Sequence, residues 1–177
     1  MTKSATAAVS IWSAVLGTSA VFGSYFFACV FPFAAIATIA AMTLDMRRGL
    51  ALVGATWGAN QIVGFALMNY PQTFETVALG VSLGFGALAA YAVARLIAEG
   101  QPLVSLRSLA ALVSAFITYQ VVIFGGAIAF GGVENFSPTI IAGVAINDAV
   151  WFVGLAAIGV ALQRASPARF VGVPVTA

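Results

Sequence analysis

The chain of 177 residues has no histidine, a single cysteine (Cys29), and seven Lys and Arg against five Asp and Glu. Without histidine, and with one thiol, a haem or a zinc site of the usual His and Cys ligands is excluded. A disulfide within the chain is excluded too, so cysteine pairing says nothing about redox compartment. A formal net charge of +2 offers no electrostatic footprint for nucleic acid. Charged residues make up 7% of the chain, where a soluble domain carries about 25%. That is too little polar material to face water all round. The bilayer must be the solvent, and the whole chain 1–177 reads as one integral membrane domain.

What is present fits that solvent. Hydrophobic residues make up 62%, and eighteen glycines accompany many alanines, the composition of helices that approach closely in lipid. No alternation with a period of two appears, which argues against a membrane barrel. Residues 7–44 carry no charge. As one helix they would reach about 57 Å, against a hydrocarbon core of about 30 Å. The stretch must fold back, with Gly23-Ser24 the best turn signal and Pro32 set to kink the second helix near its start.

The expected fold is all-α: a polytopic bundle of six transmembrane helices with both termini cytoplasmic. The spans are approximately 7–23, 27–44, 49–69, 75–97, 107–130 and 138–163. Short connections ("DMRRG", "YPQTFE", "EGQPLVS", "GGVENFSP") make sequential helices antiparallel neighbours. This count puts all seven basic residues, Lys3, Arg47, Arg48, Arg95, Arg107, Arg164 and Arg169, on the inner side. Glu75 and Glu134 fall outside. Thr18-Ser19-Ala20 resembles a signal-peptide cleavage site, but the first segment is read as a retained span.

Polar side chains in hydrocarbon need partners. Five lie deep in the expected spans: Asn60, Gln61, Gln120, Asn147 and Asp148. Asp148 is the only acidic or basic residue well inside any span. Trp57 is one turn from Asn60 and Gln61, Tyr119 adjoins Gln120, and Trp151 follows Asp148 by three residues. The third, fifth and sixth spans thus each bring polar and aromatic groups to similar depth. Such a mixture suits a small-molecule site. Amides that merely hold helices together are the alternative. The expected substrate-binding residues are Trp57, Asn60, Gln61, Tyr119, Gln120, Asn147, Asp148 and Trp151. Asn69, Tyr70, Phe74, Asn135 and Phe136, with "SYFFACVFPF", form an aromatic outer rim or a lid.

Small residues also recur at spacing four. Gly54 and Gly58, Gly80 and Gly84, and "AAIATIAAM" (34–42) present flat helix sides. A six-helix chain of this size, with an outer-side site and this alanine-rich face, resembles the substrate-binding S-components of energy-coupling factor vitamin transporters. The resemblance implies that Ala34, Ala37, Thr38 and Ala41 dock a transmembrane coupling subunit with its ATPase. It also implies a vitamin or related small molecule as substrate and a bacterial inner (plasma) membrane as location. One solitary cobalamin-specific branch of that family contacts cobalt through a cysteine, a part open to Cys29. No cofactor is expected, and no partner beyond these and the membrane lipid. Lacking His, paired acids or a Ser/Lys dyad at midplane, the chain is not expected to be an enzyme. The rival function is a non-transporting structural or assembly subunit of a larger membrane complex.

Overall fold

The computed structural model describes Trp12, Ala14, Val15, Leu16, Thr18 and residues 31–165. Among these residues every regular element is helical. Helix α1 spans Phe33–Thr43. Helix α2 spans Met46–Ile62 and runs on into a π-helical turn, Val63–Leu67. Helix α3 spans Phe74–Ala98, α4 spans Leu106–Phe130 and α5 spans Pro138–Ala165. A 3₁₀ turn, Val133–Phe136, joins α4 to α5. Helices α2 to α5 are each long and apolar enough to cross a membrane.

Each long helix starts at a local polar cap. Asp45 accepts the Arg48 N–H at 3.0 Å, and Thr73 accepts the Thr76 N–H at 3.3 Å. Ser105 and Ser108 form a reciprocal capping box at the head of α4. Ser137 accepts the Ile140 N–H at 3.4 Å, with Pro138 as the first residue of α5. The opposite ends close just as locally. Asn69 takes a left-handed φ of 53° after α2, a conformation asparagine tolerates better than most residues.

Helix α1 is different. Its 11 residues make about 16 Å, half the hydrocarbon thickness. All but Thr43 are buried, because α2, α3, α4 and α5 all pack around it. Pro32 stands at its N-cap and provides no side-chain cap. Of the expected span 27–44, residues 27–30 lie outside the described part, as do Cys29 and nearly all of 7–23.

The small-residue stripe of α1 is the reason it fits. Ala34, Ala37 and Thr38 are 0% exposed, and Ala41 is 1% exposed. The Thr38 hydroxyl is satisfied within the helix, donating to the Ala34 carbonyl at 2.7 Å. The face expected to receive a coupling subunit is therefore covered by the chain's own helices. Here the flat side serves internal packing, since small side chains let four neighbouring helices close on one axis.

At its far end α1 meets Arg95 of α3, whose Nη1 donates to the Leu44 carbonyl and to the Tyr91 hydroxyl, both at 3.1 Å. Arg95 also pairs with Glu99. On the same side, Leu103 of the α3–α4 connection and Trp12 pack beside Gly159 of α5, and Trp12 Nε1 donates to Thr43 Oγ1 at 3.0 Å. Arg47, Arg48, Arg95, Arg107 and Arg164 belong to the helix ends that meet there.

Candidate functional site

The eight residues expected to share one polar pocket fall into three separate places. The first is the seam between α2 and α3. Trp57 Nε1 donates to the Gly80 carbonyl at 2.8 Å, and its ring lies over Gly84. Gln61 Nε2 donates to Asn60 Oδ1 at 3.3 Å, and Gln61 Oε1 rests against Gly80. The adjacent amides thus serve each other and the seam. A small cavity of about 140 Å³ lies beside them, bounded also by Tyr70 and Thr76.

The second place is the head of α1. Asp148, 2% exposed on α5, accepts the Ala35 N–H through Oδ1 at 2.8 Å. The Ala34 amide also faces the carboxyl group. Oδ2 is buried with no hydrogen-bond partner among the described residues. Asp148 therefore supplies the cap that Pro32 cannot, its carboxyl oxygen accepting from the first turn of α1. This gives an acid buried inside the helix bundle a partner that is not a basic side chain. Asn147 beside it is half-buried and engaged, and Trp151 packs against the apolar core.

The third place is a cavity of about 500 Å³ walled by α3, α4 and α5. Tyr119 and Gln120 line it, alone among the eight. Tyr119 is 5% exposed and packs across Gly86 of α3 and against the Phe33 ring. Phe31, in ring contact with Phe33 at 4.4 Å, adds an aromatic wall. The 3₁₀ turn supplies Asn135 and Phe136. Asn135 Nδ2 donates to the Gly132 carbonyl at 3.2 Å, and Phe136 stacks edge-on to Phe124 at 5.0 Å. Two consecutive glycines, Gly131 and Gly132, at φ of 95° and 100°, let the chain turn sharply over the opening.

The single pocket expected from the third, fifth and sixth spans is thus not assembled. Helix α2 packs on α1 and α3, and α3 stands where the shared pocket was expected. Leu79 and Leu83 line both the small and the large cavity. Sequence reasoning placed Asn135 and Phe136 on the outer rim and missed Ile123, Ile140 and Val144 as cavity wall. Those are apolar residues on apolar helices, and nothing in their spacing marks them. Among the described residues no three His, Cys, Asp or Glu side chains gather as metal ligands. Compared with protein-family models, with curated proteins and with solved structures, the chain has no match.

Proposed function

We propose that the chain is the substrate-binding membrane component for uptake of a small vitamin-like molecule, bound from the outer side in the cavity between α3, α4 and α5. In this reading the chain crosses a bacterial inner membrane six times, with both termini cytoplasmic. One observation carries it: a space of about 500 Å³, apolar and aromatic, with the amides of Gln120 and Asn135 on its wall. Small-molecule sites have this size and this sparse polar content. The gathering of arginines at the opposite helix ends supports an outward-facing opening. Coupling through Ala34, Ala37, Thr38 and Ala41 is not part of this proposal, because that face is covered.

The test is thermal unfolding of the purified protein in lipid nanodiscs against a vitamin panel. A true ligand at about one hundred times its Kd stabilises by about 2.7 kcal/mol. Ile123→Trp, which fills the cavity, should abolish that gain. A panel that leaves the melting temperature unmoved throughout would remove this reading.

A second reading, a non-transporting assembly subunit, is favoured by the internal use of Trp57, Asn60, Gln61 and Asp148. Membrane extraction in mild detergent decides between them. Recovery only in fixed stoichiometry with a larger membrane partner, with no ligand effect, supports assembly.

A further inference from the structure

The chemical class of the ligand can be read from the wall of the cavity, an inference that rests on the uptake reading. The polar side chains there are those of Tyr119, Gln120 and Asn135, and none of the described lining is a charged residue. The arginines sit at the other end of the helices. An anion entering this space would lose its hydration and meet no cation on the described wall. A cation would find no carboxylate on the wall, since Asp148 is buried at the head of α1.

Gln120 narrows the class further. It is half-buried in the middle of α4 and makes no hydrogen bond to any described residue. A carboxamide holds a donor and an acceptor side by side. Lining the cavity, both are open to a ligand. The partner that satisfies both at once is another amide edge, with N–H beside C=O, forming two parallel hydrogen bonds. Phe31, Phe136 and Tyr119 line the same cavity, and aromatic rings favour stacked or edge-on partners. We infer that the cavity takes an uncharged ring compound bearing a primary carboxamide or lactam edge, and that Gln120 reads that edge.

The experiment uses matched probes on the full chain in nanodiscs, with affinity from isothermal titration and stability from thermal unfolding. The probes are 2-naphthamide, its acid 2-naphthoate, N,N-dimethyl-2-naphthamide and 2-naphthylmethylammonium. Isoquinolin-1(2H)-one and its 2-methyl derivative test the lactam edge in the same way. The intact amide and lactam should bind at least about tenfold more tightly than their charged or N-methylated counterparts. Gln120→Leu should erase the difference between naphthamide and its dimethyl form while leaving the melting temperature equal or higher. Should Gln120→Leu fail to fold, the ranking of probes on the unaltered chain still decides. Equal or tighter binding of the naphthoate or the ammonium overturns the inference, as does unchanged discrimination in Gln120→Leu. If a vitamin binds but no amide or lactam probe does, this inference falls and the uptake reading stands. If neither panel binds, both fall.

Discussion

The carboxylate of Asp148 accepts the backbone N–H of Ala35 at 2.8 Å, across a separation of 113 positions in the chain. Helices α2 to α5 each draw a cap from the adjoining turn. Helix α1 begins inside the bundle after a proline and borrows its cap from α5. Arg95 serves the other end through the Leu44 carbonyl. A buried half-length helix is thus held by a carboxyl oxygen at its first turn and by an arginine at its C-terminal carbonyl.

Removing that cap should weaken the fold more than the ligand site. Asp148→Leu leaves the fully buried Ala35 N–H without an acceptor, which costs about 1–3 kcal/mol. Asp148→Asn keeps an acceptor and should cost less. Because the carboxyl lies behind the cavity wall, Asp148→Asn should also change ligand affinity less than Gln120→Leu does. Melting temperatures of the two variants in detergent decide the matter. A wild-type melting curve for Asp148→Leu would show the cap to be idle.

The stripe on α1 yields a sharper contrast. Ala37 is 0% exposed, and Ala37→Leu forces three extra heavy atoms into a closed space. Overpacking of this kind costs about 1–3 kcal/mol, so the isolated protein should melt earlier. Ala51→Leu, on the exposed side of α2, is the control and should leave melting unchanged. If Ala37→Leu keeps full stability but loses a copurifying membrane partner, the stripe is a docking face after all.

The two glycine pairs should separate in the same assay. A Cβ on Gly84 would come within 2.9 Å of the Trp57 ring, whereas one on Gly58 meets nothing within 4 Å. Gly84→Ala is expected to destabilise by loosening the α2–α3 seam. Gly58→Ala should be neutral or stabilise by up to about 1 kcal/mol, since alanine favours helix over glycine. Equal effects of the two substitutions would contradict the seam as described.

Topology is checked by labelling single cysteines in a Cys29→Ala background. Met46 is 58% exposed at the head of α2, and Gln72 lies exposed between α2 and α3. Met46→Cys should react with a membrane-impermeant maleimide only from the cytoplasmic side, and Gln72→Cys only from outside. Outside labelling at Met46 would invert the orientation.

The layout of the four long apolar helices was legible in the sequence, because it follows from one-dimensional quantities. With 7% charged residues the chain cannot cover a water-facing surface, and backbone groups in lipid must then be satisfied within helices. Long apolar runs, punctuated by Asp45, Thr73, Ser105 and Ser137, carry their own starts and lengths. The spans expected at 49–69, 75–97, 107–130 and 138–163 accordingly lie within a few residues of α2 to α5. Which polar groups meet was not legible. Asn60, Gln120 and Asp148 have similar depth, but depth says nothing about the direction in which each helix turns its face. Only the packing turned Gln61 and Trp57 onto the glycines of α3 and Gln120 into a cavity. It likewise brought Asp148 to the amide of Ala35. Nor does a small-residue stripe say whether its cover comes from the same chain or another, since an alanine face packs equally well against either. That choice rests on the placement of four helices around α1, a relation among distant segments that no local pattern encodes.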